Sequence, residues 1–415
     1  MGQVRRRSYT VAVALGGIAF SVALATRHQV WGQAASDTDQ STAAMRMSPA
    51  QLEKKYEQYT QLLVTPDYLP RKVSDSDARE AKQFLSSVPV VALSPYVEGH
   101  AHPNGPTMKT PTLFIENAFQ LMERVNAVKV VMFPSPYAPE DKIPYSDEDL
   151  ARAVKGHEDK FAFLGGGTSL NPMMLEAVRV NNTGPDTQRK VKELAEKLLS
   201  EGAVGFSELT PEHLAVASTQ SYMHMPPDNP LMLVLADVAA QHGVPMLIHM
   251  EALMRSGPMP DDLNRPPNPS QITENITGLE RLLSHNPRAT IVWAHAGLDN
   301  TGDRTPDLMR RLLKAHPNLY MDVKIVPARL GKNSPFDADG KIKPDWLRLF
   351  QDFPDRFMLG SDQGYGGDPK EMGSAQGLRT SVLMVNQLPK NLALKIGNEN
   401  AQHVYHFSSG SKQEP

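Results

Sequence analysis

An α/β fold, a (β/α)8 (TIM) barrel with a helical N-terminal extension, is predicted by three features of this sequence. Short apolar, β-branched runs alternate with amphipathic helical patterns from residue 88 to residue 407, the grammar of parallel βα units. The runs number eight, which is the count that closes such a barrel. Several of them end on an ionisable residue, at the strand ends where these barrels carry their chemistry.

Residues 1–35 read as an export signal that precedes the fold. "MGQVRRRSY" is a basic start, "TVAVALGGIAFSVALAT" an apolar run, and "GQAAS" a small-residue cleavage context near Ala34 or Ala35. The apolar run falls short of the roughly 20 residues that span a bilayer. Cleavage without stable membrane anchoring is therefore expected, leaving a periplasmic or secreted protein. "RRSY", with Arg6 and Arg7, resembles a twin-arginine signal, although Tyr9 and Thr10 replace its usual Phe and Leu. A general secretory route is the alternative.

Residues 36–87 are read as a linker and a helical N-terminal extension. "SDTDQSTAAMRM" is polar and small. "SPAQLEKKYEQYTQLL" then opens a helix with Ser48 as N-cap, Pro49 at the first helical position and Gln51 as capping-box partner. "SDSDAREAKQFLSS" reads as a second helix, capped near Ser74. Residues 408–415, "SSGSKQEP", read as a disordered tail.

Within the barrel, the strands are predicted at "VVALSPYV", "AVKVVMF", "FAFLGG", "AVGFSEL", "VPMLIHM", "ATIVWAH", "LYMDVKI" and "RFMLGSD". Between them lie helices such as "DTQRKVKELAEKLLSEG". There Val191, Leu194, Ala195, Leu198 and Leu199 form one apolar stripe, and Gly202 ends the helix. In "TPDLMRRLLKAHPN", Thr305 and Pro306 mark the start. No G-x-G-x-x-G or phosphate-cradling G-x-x-x-x-G-K-[ST] accompanies the strands.

Composition narrows the chemistry. The chain has 415 residues, is 40% hydrophobic and 21% charged, and has a formal net charge of −3. This gives no electrostatic footprint for nucleic acid; a small-molecule substrate is expected, and oligomeric state is left open. Cysteine is absent, so any metal must be held by His and carboxylate.

In "EGHAHPNG", His100 and His102 stand two apart. On an extended strand they project from one face with Cα atoms roughly 6.6 Å apart, close enough for both rings to reach one cation. His249, His295, Asp362 and Glu208 end the fifth, sixth, eighth and fourth predicted strands. Strand C-termini open onto one mouth of a barrel, so these six side chains are expected to converge there. A His and carboxylate set without sulfur suits Zn²⁺ or a similar divalent ion. His242, His285 and His316 instead end predicted helices, where a cation favours the helix dipole. His157, His213 and His224 are assigned to loops or helix edges, and His403 and His406 to the final helix.

The ordered set resembles the amidohydrolase superfamily of metal-dependent hydrolases, closest to its amidohydrolase-related branch. The signals are HxH after strand one, an acid after strand four, His after strands five and six, and Asp after strand eight. "LMLVLADVAAQHGVPMLIHMEA", "ATIVWAHAG", "RFMLGSD" and "LALKIGNENAQHVYHF", with its Asn-Ala step at Asn400, add to the likeness. The resemblance implies one or two divalent ions. His100, His102 and Asp362 would hold the more buried ion, and His249 and His295 a second, bridged by Glu208. With one ion, His249 joins the first set and His295 polarises substrate or water. Two departures stand out: Glu98 replaces the usual Asp before the HxH, and strand four lacks a lysine.

By the same resemblance, metal-activated water attacks an amide, lactone or other ester, with Asp362 as general base then acid and His295 aiding the oxyanion. Substrate contacts are expected from the strand-end loops: Glu251 and Arg255 in "HMEALMRSG", Lys324 in "DVKIVPARLG" and Tyr365 in "SDQGYGG". The main alternative is a metal-dependent decarboxylase of an aromatic or unsaturated carboxylic acid, which the same branch includes. A non-catalytic binding protein predicts a missing ligand, and a zinc store predicts surplus His and acidic clusters. Neither pattern is present.

Overall fold

The computed structural model describes residues 92–103, 111–217, 220–325, 333–337, 340–365 and 376–407. All belong to one compact unit, Thr60–Pro415; a separate unit, Met1–Tyr59, lies outside the described residues. The expected export signal, the N-terminal helices and the tail after residue 407 also lie outside them.

Eight parallel strands form a ring: β1 (Tyr96–His102), β2 (Ala127–Met132), β3 (Phe161–Phe163, resumed at Gly165–Gly166), β4 (Phe206–His213), β5 (Pro245–Met250), β6 (Thr290–Ala296), β7 (Leu319–Val323) and β8 (Phe357–Leu359, resumed at Gln363–Gly364). The two interrupted strands join the ring. The first part of β3 pairs with β2 and the second with β4. Likewise β8 pairs first with β7, then with β1. Every strand is thus paired on both edges, which removes the exposed edges of an open sheet.

Helices alternate with the strands: α1 (Pro111–Val125), α2 (Asp147–Val154), α3 (Leu170–Arg179), α4 (Pro185–Ser200), α5 (Pro230–His242), α6 (Ile276–His285), α7 (Pro306–Ala315), α8 (Pro344–Asp352) and α9 (Gln376–Gln387). A final helical stretch covers residues 390–404, with a π-helical turn at Lys395–Glu399. Local chemistry sets their ends. Thr305 caps α7 by accepting from the Leu308 amide, with Pro306 at the first position. Asn229 and Pro230 do the same for α5, which Gly243 ends in the left-handed conformation. In α4, Val191, Ala195 and Leu198 are buried and Leu194 and Leu199 half-buried, as the stripe predicts. Among the described residues no helix is long and apolar enough to cross a membrane.

Strand alternation divides the core into two layers. Ile291 and Trp293 of β6 join the large cluster between strands and helices, while Val292 and Ala294 join a smaller interior cluster with Val97, Val131, Leu247 and Met358. Residues Val404, Tyr405 and Phe407 add to that interior cluster. His406 contacts the Gly243 carbonyl just before β5, and Lys129 of early β2 lies over the Phe407 ring. The C-terminal segment therefore closes the end of the barrel where the strands begin. Chemistry is left to the other end.

Two strand boundaries differ from expectation. The first strand starts at Tyr96 rather than Val90: residues 92–95 form a bend, Leu93 is exposed, and Pro95 lacks a ladder donor. His100 and His102 consequently sit inside β1 instead of after it. β4 continues to His213, so Glu208 is near its start instead of its end.

Gly99 marks the closest approach across the closure. A Cβ there would lie 2.5 Å from the carbonyl oxygen of Leu359 in β8, which a backbone atom cannot relieve without separating the strands. Gly99→Ala is expected to destabilise the barrel by about 1–3 kcal/mol, the usual cost of overpacking. Thermal unfolding checks this against Gly257→Ala, where a Cβ meets nothing within 4 Å.

Candidate metal centre

Six ionisable side chains converge at the C-terminal mouth: His100, His102, Glu208, His249, His295 and Asp362. The Nε2 atoms of His100 and His102 lie 3.1 Å apart. Asp362 Oδ1 is 2.8 Å from His102 Nε2 and 3.6 Å from His100 Nε2. On the other side of the cluster, Glu208 Oε1 lies 2.9 Å from His249 Nδ1 and 3.1 Å from His295 Nε2. Those two ring nitrogens are 3.0 Å apart. Glu208 Oε2 is 3.6 Å from His102 Nε2, so this carboxylate spans both halves.

Backbone irregularities aim these side chains. Val97 faces the barrel interior, and strict alternation would then turn His100 outward. An extra residue in β1 between Glu98 and Ala101 shifts the parity and brings His100 and His102 inside. β6 carries a similar extra residue between Trp293 and Ala296, and His295 takes φ 65°. β4 has two such shifts around Glu208. Asp362 takes φ 54°. Left-handed backbone at non-glycine residues is unfavourable and is tolerated where surrounding contacts enforce it.

Hydrogen bonds fix the ring orientations. His100 Nδ1 lies 2.9 Å from Asp322 Oδ2, and the other oxygen of Asp322 accepts the His295 amide at 2.6 Å. His102 Nδ1–H donates to the Phe133 carbonyl at 3.0 Å. Glu98 Oε1 accepts the amides of His100 and Ser361, at 3.0 and 2.8 Å, linking β1 to the β8 segment. Lys324 Nζ pairs with Asp362 Oδ2.

The electrostatics follow. Burial alone would lower the His100 pKa, but Asp322, Glu208 and Asp362 together raise it to about 9. His295 is pushed down to about 3 by burial and by Lys324. Burial raises Glu208 and Asp362 less than their partners lower them: His249 and His295 for the first, Lys324 and His102 for the second. Both lie well below the usual carboxylate range. Glu98 is raised to about 7 by burial, against its two amide donors.

This donor set fits a divalent cation. With both Nδ1 atoms donating and both rings neutral, His100 and His102 would point two lone pairs at each other across 3.1 Å, and the acidic surroundings that raise the His100 pKa favour positive charge there. His249 Nδ1, His295 Nε2 and the Glu208 oxygen form a second such convergence. One proton relieves one pair; a divalent ion relieves several acceptors together. All ligand atoms are nitrogen or oxygen, the set that Zn²⁺ accepts.

The four expected substrate contacts separate. Lys324 reaches the cluster through Asp362. Glu251 is buried behind it, raised by burial, and accepts from Asn300 at 2.7 Å. Arg255 is exposed. Tyr365 turns away: its amide donates to the His102 carbonyl, and its buried ring packs edge-on against Phe114 of α1. Pairing with β1 directs that ring into the core rather than toward substrate.

Three residues at the mouth escape the sequence reading. Asp322 interrupts the apolar run of β7, which is the signal that marks it. Arg304, buried and stacked on Trp293 with 3.9 Å between guanidinium and ring centroid, donates to the Trp293 and Ala294 carbonyls beside His295; nothing in a loop sequence announces it. His213 ends β4 rather than lying in a loop or helix edge, with its ring centroid 4.9 Å from that of His249. Burial and His249 lower its pKa to about 4. His242, His285 and His316 do stand at helix ends and pair with Glu196, Asp237 and Glu280.

Residues 175–407 match the family model described as Amidohydrolase, a stretch that runs from α3 to the end of the described chain. Two solved structures are similar at low identity. An apo crystal structure of an Agrobacterium tumefaciens protein is 13% identical, covering 77% of this chain and 96% of that one with a TM-score of 0.41. Amidohydrolase 2 from Bifidobacterium longum subsp. infantis is 12% identical, covering 76% and 99%, with a TM-score of 0.34. No curated protein sequence matches.

Because Asp322 orients His100 and holds the His295 amide, Asp322→Asn is expected to weaken zinc affinity by about 10–100-fold, the usual effect of losing such support. Competition with a chromogenic chelator measures it, and an unchanged affinity would remove Asp322 from the site.

Proposed function

Because the chain belongs to the amidohydrolase family, we propose that it is a metal-dependent hydrolase cleaving an amide, lactone or other ester of a small molecule. One observation supports this reading: the Nε2 nitrogens of His100 and His102, 3.1 Å apart beside the Asp362 carboxylate, converge as a shared cation's ligands would. When bound, a divalent ion supplies Lewis acidity that polarises a carbonyl and brings the pKa of water toward about 7. His100, His102 and Asp362 would hold one ion; Glu208, His249 and His295 would hold a second. Zn²⁺ suits the set.

The protein's own groups do the rest. Lys324 beside Asp362 keeps its carboxylate ionised, so Asp362 takes a proton from the attacking water and returns it to the leaving group. His295, kept neutral by burial and Lys324, orients the reacting carbonyl or completes the second ligand set. Lys324 places positive charge at the mouth, where an oxyanion develops. The basic and apolar N-terminal segment supports export, and with it a periplasmic or secreted setting.

Purified protein is expected to carry divalent metal, with one or two equivalents separating the two ligand arrangements. Removal by a chelator should abolish hydrolysis of responsive members of an ester, lactone and amide panel, and zinc should restore it. His100→Ala should lose metal. Asp362→Asn should lower kcat by roughly 10²–10⁴-fold, the range for a general acid–base group. Metal-free protein that hydrolyses the panel overturns the proposal. Carbon dioxide release from an unsaturated carboxylic acid, without hydrolysis of any panel member, assigns a decarboxylase instead.

A further inference from the structure

Of the histidines at the mouth, His213 has no part in the two ligand sets, yet its ring is fixed. It is the last residue of β4, on the strand that carries Glu208. Its Nδ1 lies 2.9 Å from the Ser221 carbonyl. A carbonyl only accepts, so Nδ1 carries the proton.

The bond is braced further. Ser221 Oγ donates to Asp141 Oδ1 at 2.7 Å, and Asp141 Oδ2 accepts the Ala138 amide at 2.7 Å. The loop after β4 is thereby tied to the loop after β2. The neighbouring Glu212 holds His224 Nδ1 at 2.6 Å. Such bracing makes a defined surface rather than a mobile edge.

The ring packs edge-on to His249 at 4.9 Å between centroids, and the charged groups acting on it include Glu208 and Lys324. The ring thus stands at the edge of the cluster, against one of its proposed ligands. Nε2, at the opposite edge, makes no hydrogen bond among the described residues. In the neutral ring it presents a lone pair.

We propose that His213 is a substrate-binding residue whose Nε2 accepts a hydrogen bond from an O–H or N–H borne one or two bonds from the reacting carbonyl. The inference rests on the proposed hydrolase reading for the location of that carbonyl. It names the substrate class more narrowly: α-hydroxy or α-amino acyl compounds rather than simple acyl compounds.

Two substitutions separate binding from bracing. His213→Asn keeps a donor at the Nδ1 position for the Ser221 carbonyl and deletes Nε2. His213→Gln retains an acceptor near Nε2 and loses the bracing donor. Glycolate and acetate, which differ by one hydroxyl, are the probes, titrated against the full-length protein as purified by ligand-observed NMR. Wild type should bind glycolate about five- to tenfold more tightly than acetate, the scale of one net hydrogen bond. His213→Asn should bring the ratio near one with melting temperature and metal content unchanged, and His213→Gln should keep part of the preference.

Equal binding of both acids by wild type overturns the proposal and leaves the hydrolase reading intact. A full preference in His213→Asn, with loss in His213→Gln, also overturns it and makes His213 a brace for the loop. Absence of metal from wild type counts against the hydrolase reading and is scored separately from the binding ratio.

Discussion

Two imidazole nitrogens 3.1 Å apart, each on a ring whose other nitrogen is already committed, set the condition that the mouth of this barrel must meet. Histidine has two ring nitrogens and can relieve lone-pair repulsion by changing tautomer or by turning. Neither route is open here. Asp322 holds one ring and the Phe133 carbonyl the other, and both rings are buried. Positive charge has to lie between them. Asp322 also accepts the His295 amide, so the same carboxylate that fixes one proposed ligand fixes the backbone of another.

Holding these groups largely buried opposes stability, because charged and polar groups lose hydration on burial. The scaffold offsets that cost with its two apolar layers, which include fully buried Trp293, Trp346, Phe206 and Phe357. A buried aromatic or aliphatic side chain contributes about 1.5–3 kcal/mol relative to exposure. The apolar surface is concentrated around the strands and at the end closed by the C-terminal segment. The opposite mouth can then hold carboxylates and histidines at separations that would be unfavourable in isolation.

The strands and helices were legible because their signal is periodic: apolar runs for β2, β3 and β5 to β7, and a stripe with capping residues for α4 and α7. The six converging side chains were legible because each is an ionisable residue that interrupts or follows a short apolar run, although Glu208 lies near the start of β4 and Asp362 between the two parts of β8. Their inward orientation was not. Val97 faces inward, and a regular β1 would have sent His100 outward; the extra residue between Glu98 and Ala101 reverses this. A bulge depends on how two strands pair, and no single strand's sequence records it. Tyr365 illustrates the converse. Its position suggested a substrate contact, but pairing of its segment with β1 turned it into the core. Arg304 depends on a loop path that periodicity does not reach, and His213 on the extension of β4 beyond its apolar run.

Comparison of β5 with β1 and β6 shows how the site imposes its geometry on the barrel. In β5 the alternation is regular, with Leu247 facing inward and His249 following two residues later, so the strand pattern alone delivers the ring. In β1 and β6 an inserted residue is needed, and β6 adds left-handed backbone at His295. β6 pairs regularly with β7 up to Trp293, and its departure begins only in the stretch that carries His295. Inserted residues in β4 around Glu208 and left-handed backbone at Asp362 show that such departures accompany the carboxylates of the cluster as well as its histidines. A sheet gains nothing in ladder hydrogen bonds from an unpaired residue, and left-handed backbone is unfavourable outside glycine. The irregularities at His100, Glu208, His295 and Asp362 therefore coincide with the requirement that several ring nitrogens and carboxylates face a single point.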